Sequence, residues 1–166
     1  HVATGTSLAE LAAPFDSVSV CFSKGLGAPI GSVLAGDRKT IDRAYRFRKM
    51  LGGGMRQVGI LAAACLYALD HHLARLQEDH AHAQILATGL DHPGLAVNHP
   101  VETNIVIVDV PGDGGDASLL AHLAGQGVLA VGFGPGQVRL IPNLENSRED
   151  VNRAVAALNS WVGIGN

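Results

Sequence analysis

Between Asp16 and Asp37 lie twenty residues with a single charged side chain, Lys24. The stretch opens with Ser17-Val18-Ser19-Val20-Cys21-Phe22, in which small polar and apolar residues alternate with the period of a strand. Gly25-Leu26-Gly27-Ala28-Pro29-Ile30-Gly31 then turns the chain, and Ser32-Val33-Leu34-Ala35 is short and apolar enough to return as a neighbouring strand. The segment predicts a pair of neighbouring strands joined by a glycine-rich turn, with one amine at the mouth of that turn.

Elsewhere helix and strand signals alternate, which points to an α/β architecture. Glycine is abundant at 21 residues and aromatic residues make up only 4%, a balance that suits strand–helix turns better than an aromatic-cored sandwich. With 47% apolar and 16% charged residues, the 166-residue chain does not have the composition of a disordered protein. A net charge of -3 and a pI near 6.2 lack the electrostatic footprint of a nucleic-acid binder. The longest nearly apolar run, Ile60 to Leu69, is too short to cross a bilayer and is expected to form a buried helix, so no membrane partner is predicted. Cys21 and Cys65 both lie in apolar runs and are expected to be buried free thiols of a reducing compartment, the cytoplasm. The first residue is His1 and the opening pattern looks like the end of a helix without a starting cap, so the sequence is expected to begin inside a domain.

Along the chain, Leu8, Leu11 and Ala12 share one side of that first helical piece, which Pro14 stops. Asp37 is placed to cap a basic helix running through Met50, and Gly52-Gly53-Gly54 breaks it. One long helix is predicted from about Met55 to Ala87, apolar nearly all round at first and half-polar after Asp70, with Gly89 just past its end. Strands are predicted over Asn104 to Val110, Val128 to Phe133 and Gln137 to Ile141, with a short helix capped by Asp116 and ending at Ala124. Ser147-Arg148-Glu149-Asp150 nearly forms a capping box, and Val151, Ala154, Val155 and Leu158 make the apolar face of the last helix.

Lys24 is the residue with the clearest chemical promise. An amine in apolar surroundings loses part of its preference for the charged form and becomes nucleophilic, as imine formation with a carbonyl cofactor requires. The plainer alternative is a strand-end lysine whose amine reaches water. His71, His72, His80 and His82 invite a metal site, but no two stand four apart on a helix, and they are read as a solvated face with no metal. Gly132-Phe133-Gly134-Pro135-Gly136 lacks the spacing of a dinucleotide fingerprint, and neither a phosphate-loop motif nor a nucleophile elbow occurs.

The segment Ser23-Lys24-Gly25-Leu26-Gly27-Ala28-Pro29-Ile30-Gly31-Ser32-Val33-Leu34-Ala35-Gly36 closely resembles the cofactor-lysine segment of the low-specificity L-threonine aldolases. These are pyridoxal-phosphate (PLP) enzymes of the aspartate-aminotransferase fold, fold type I. The likeness continues through Arg48-Lys49-Met50-Leu51-Gly52-Gly53-Gly54-Met55-Arg56-Gln57 and the helix from Val58 to His72. It resumes at Glu102-Thr103-Asn104-Ile105-Val106 and Val138-Arg139-Leu140-Ile141.

The resemblance implies an α/β chain: the end of a fold-type-I large domain (strand, lysine turn, strand) followed by a small C-terminal α/β domain. Its expected division is residues 1–57 for the large-domain part, 58–90 for a linking helix and 91–166 for the small domain. It further implies that Lys24 carries pyridoxal 5'-phosphate as an imine and helps move protons, and that Arg139 pairs with the substrate α-carboxylate through its planar fork. The glycines Gly52 to Gly54 are read as an anion nest opening a helix. Arg56, in its first turn, is a cofactor-binding candidate that reaches the phosphate or a subunit interface, and Lys49 matches a lysine near the family's active site.

The implied activity is carbon–carbon cleavage of L-threonine or L-allo-threonine to glycine and acetaldehyde, in a homo-oligomer, dimer or tetramer. The alternatives are another β-eliminating amino-acid lyase or a non-catalytic oligomerisation piece. Pro142-Asn143 stand where the family has a Thr-His pair. The family's phosphate loop, ring-stacking side chain, pyridine-nitrogen aspartate and histidine base would all precede His1. The expectation is therefore the C-terminal half of a longer enzyme, inactive by itself.

Overall fold

A computed structural model describes residues 1–163, which fall into two units, His1–Leu76 and the residues from Gln77 onward. The first unit opens with a five-residue helix α1 (Leu8–Ala12) that has its own cap, contrary to expectation. The Ser7 hydroxyl accepts from the Glu10 N–H, and the Glu10 carboxylate accepts from the Ser7 N–H. Strands β1 (Ser17–Cys21) and β2 (Ser32–Gly36) pair antiparallel, from Ser17 opposite Gly36 to Cys21 opposite Ser32. Asp37 caps helix α2 (Arg38–Met50) through the Thr40 N–H at 2.6 Å, as the sequence predicts.

The single long helix predicted from Met55 to Ala87 is instead two, α3 (Gly59–His72) and α4 (Leu76–Gly89). Residues 73–75 form a turn, with the Leu76 N–H donating to the Leu73 carbonyl. No helix breaker marks this point in the sequence. What bends the chain is packing: Leu73 and Leu76 both lean on the cluster of Phe22, Leu26, Ala28 and Ala68. The start is late as well, because Gln57 adopts a left-handed φ of 50°, incompatible with a helix running through it.

Three burial expectations fail with the long helix. Ala68 is the only buried residue of α3, while Ile60, Leu66 and Tyr67 are exposed. Cys21 is exposed and Cys65 half-buried, because β1 and β2 form a two-stranded sheet that covers neither thiol fully. The histidine face is also mixed rather than solvated: His82 is buried in α4, and His72 and His80 are half-buried.

In the second unit, β3 (Val106–Asp109), β4 (Val131–Gly134) and β5 (Gln137–Leu140) form an antiparallel sheet in the order β3-β5-β4. Each strand is a little shorter than, or shifted from, its predicted range. Helix α5 (Gly115–Gly125) begins with Gly114 in a left-handed turn, so Asp116 lies within the first turn rather than capping it. Helix α6 (Arg148–Asn159) starts at the expected capping box, Ser147 with Asp150.

The strands alternate as their sequences dictate. Val106, Val108, Val138 and Leu140 face a core shared with Leu119 and Leu123 of α5, Val151 and Leu158 of α6, and Leu86 of α4. Each fully buried leucine there contributes roughly 1.5–3 kcal/mol. Ile107 and Arg139, paired across β3 and β5, alternate with these inward residues and so take the opposite face of the sheet.

Candidate functional site

The β1–β2 connection is held down by its own apolar residues. Phe22, Leu26 and Ala28 are buried against Ala68, while Lys24 between them is exposed. Backbone bonds fix the turn: Phe22 N–H to Gly31 O at 2.9 Å, Ala28 N–H to Phe22 O at 3.0 Å, and Gly27 N–H to Lys24 O at 2.8 Å. Gly27 needs its left-handed φ of 68° to close that last bond, which is why glycine stands there. Among the described residues the Lys24 amine is therefore exposed rather than enclosed by apolar neighbours. What the fold supplies is an anchored backbone and an exposed amine that makes no hydrogen bond or ion pair among the described residues. An unpaired primary amine on a fixed turn suits covalent capture of an aldehyde, and in that respect Lys24 fits a pyridoxal cofactor.

Helix α3 grips the same turn with two side chains. His72 Nδ1 donates to the Leu26 carbonyl at 2.7 Å, and the Cys65 thiol donates to the Ile30 carbonyl at 3.3 Å. Sequence reasoning treated both residues otherwise. Their seven-residue spacing, two helical turns on one face, was the available signal.

The Gly52–Gly54 loop differs from the expected anion nest. Gly52 and Gly53 N–H groups donate to the Lys49 and Arg48 carbonyls and so finish α2 rather than point outward, while Met55 N–H donates to Gly53 O within the loop. Because α3 begins only at Gly59, Arg56 is not in a helical first turn; it is exposed in the connecting loop. Lys49 folds over Gly54, where an added Cβ would meet its Cδ at 2.6 Å. No hydrogen bond or ion pair links Lys24 to Arg56 among the described residues.

Arg139 belongs to the second unit. Its Nε is buried without a hydrogen-bond partner, and its guanidinium carbon lies 5.3 Å from the centre of the Phe133 ring. The β4–β5 register slips between Gly132 and Gly134, a bulge at Phe133 itself. The nearby acid on β3, Asp109, is taken: Gln137 and Asn98 amides donate to its two oxygens, each at 2.8 Å. The Gln137 bond, then the Asn98 bond, hold the Asp109 carboxyl below the usual carboxylate range. Arg139 thus makes no ion pair among the described residues, and its fork is open to an acidic ligand. The Phe133 contact was not foreseen; the aromatic set between two glycines was its only trace in the sequence.

Known proteins resemble this chain throughout. The profile of the beta-eliminating lyases matches residues 1–112. The chain is 46% identical over 155 residues to the low specificity L-threonine aldolase of Escherichia coli K12, covering 93% of this chain and 45% of that protein. It is 44% identical over 154 residues to the probable low-specificity L-threonine aldolase 2 of Arabidopsis thaliana, covering 90% of this chain and 43% of that protein. The chain spans less than half the length of these curated relatives. Among solved structures, a putative L-allo-threonine aldolase from Listeria monocytogenes superposes with a TM-score of 0.76 at 20% identity, over 97% of this chain and 48% of that one. That likeness bears out the expected fold-type-I α/β architecture. With the profile covering both strands, the lysine turn and α3, the chain belongs to the beta-eliminating lyase family.

Proposed function

We propose that the polypeptide to which these residues belong is a pyridoxal-phosphate-dependent aldehyde-lyase that cleaves L-threonine or L-allo-threonine to glycine and acetaldehyde. The observation that carries the reading is the 44–46% identity to low-specificity L-threonine aldolases over nine-tenths of the chain. The exposed, unpaired amine of Lys24 on its anchored turn supports it.

The cofactor, when bound, supplies an electron sink for the pair released as the Cα–Cβ bond breaks. Lys24 Nζ would hold the cofactor's aldehyde carbon in the resting enzyme and, as a free amine, carry a proton to and from the substrate carbon. Arg139 would take the substrate carboxylate in its two-pronged fork, with its plane steadied by Phe133. Fixing that carboxylate fixes which bond on Cα can align with an electron sink, which is the protein's share of the selectivity. Arg56, exposed in the loop after α2, would serve the cofactor phosphate or a subunit interface.

The same reading divides the chain at 1–57, 58–90 and 91–166, and has the protein work as a cytoplasmic homo-oligomer, dimer or tetramer. Free Cys21 and Cys65 support a reducing compartment. Exposed Met50, Leu51 and Ile60 support association and favour the second reading, an oligomerisation piece that catalyses nothing by itself. Borohydride reduction in the presence of PLP, followed by peptide mapping of the full polypeptide, tests the proposal. Label on Lys24 is expected, and label on Lys39 or Lys49 instead would overturn it.

A further inference from the structure

We propose that His72 is a positioning residue for Lys24: its Nδ1–H, bonded to the Leu26 carbonyl, fixes the backbone turn from which the lysine projects. The proposal rests on the reading of Lys24 as the cofactor lysine and adds to it the residue that aims it.

The bond is 2.7 Å long, half-buried, and spans 46 positions of sequence. A carbonyl only accepts, so the proton must sit on Nδ1, in the neutral tautomer or in the cation. Leu26 is two residues from Lys24, inside the tight turn that the next residue closes, where the Gly27 N–H donates to the Lys24 carbonyl. Holding Leu26 therefore holds the carbonyl end of Lys24. The grip has a second point: the Cys65 thiol, two turns earlier on the same face of α3, donates to the Ile30 carbonyl. Between these two points Ala68 is buried against the turn.

The glycines fit the same account. A Cβ on Gly31 would come within 3.2 Å of Cys65 Sγ, and one on Gly25 within 3.0 Å of Leu76 Cδ2, so the turn lies close against its support. A segment with glycines at 25, 27 and 31 has much conformational freedom of its own. Side-chain bonds to its carbonyls restrict it further, beyond its own backbone bonds. Through Nδ1, committed to a backbone oxygen, His72 acts as an anchor.

The test compares His72→Leu, His72→Asn and His72→Gln in the full chain by two measurements. Amide hydrogen exchange at Gly27 and Ala28 should become about tenfold faster in the leucine variant, the ratio for one lost hydrogen bond, with α2 amides unchanged. Asparagine places an N–H close to the Nδ1 position and should restore slow exchange; glutamine, whose amide lies one carbon farther out, should not. PLP-dependent borohydride labelling of Lys24, relative to Lys39 as an internal reference, should fall about tenfold with leucine and recover with asparagine. Exchange unaffected by leucine, or equal impairment by asparagine and glutamine, would overturn the role of His72. Should the leucine variant not fold, the asparagine–glutamine pair still decides. Failure of the unsubstituted chain to label at Lys24 would overturn the cofactor reading instead, whatever the exchange rates show.

Discussion

Arg139 gains its chemical potential from what its neighbours leave undone. Asp109 is saturated by two amides, Phe133 offers a π face, and the buried Nε has no acceptor. Replacing Arg139 with lysine keeps the charge but loses the fork, and kcat/KM for threonine in the full enzyme should fall about tenfold or more. An unchanged kcat/KM would make Arg139 structural. Phe133→Leu removes only the ring under the guanidinium. KM should rise roughly two- to fivefold with kcat nearly constant, the scale of an exposed cation–π contact of about 0.5–1 kcal/mol.

Asp109 and the helix caps belong to the scale of the element. The Asp109 carboxyl titrates below its usual range when folded, so its contribution to stability is full above the unfolded carboxylate range. That contribution is lost as pH falls through the lowered folded value. The urea midpoint of the native chain should therefore exceed that of Asp109→Asn near neutral pH, and the gap should narrow as pH falls below the usual carboxylate range. Constant separation at all pH values would show that the effect is packing alone. At the start of α6, Ser147→Ala removes the acceptor for the Asp150 N–H and should cost about 1 kcal/mol, measured by the same titration. Local pattern made this cap readable, as it did the Asp37 cap of α2. It could not show the break at residues 73–75, because nothing in Leu73-Ala74-Arg75 opposes a helix; burial of Leu73 and Leu76 against the lysine turn does.

At the scale of the whole molecule the two units differ in how well they satisfy themselves. The second has a closed core running from Ala83 to Trp161. The first buries only Phe22, Leu26, Ala28 and Ala68, and leaves Met50, Leu51 and Ile60 at 75–85% exposure. Large apolar side chains left exposed in this way favour association. The 166-residue chain by itself should sediment as a dimer or larger species and release no acetaldehyde from L-threonine. Steady release by this chain alone would contradict the inactivity expected of it.

Sequence alone determined the strand pair, the lone lysine at a glycine turn, the alternating core strands and two of the caps. Each depends on interactions within a few residues or on a strict period. The resemblance in the lysine and Gly-Gly-Gly segments carried the family, and the fold with it. Tertiary structure decided the rest. Whether Lys24, Cys21 and the apolar sides of α3 are covered depends on what packs against them, which no local pattern encodes. The grip of His72 on Leu26 joins residues 46 positions apart, and the Phe133 stack on Arg139 depends on a one-residue bulge. Such contacts are set by how elements meet, and the energies that select them act between segments far apart in the chain.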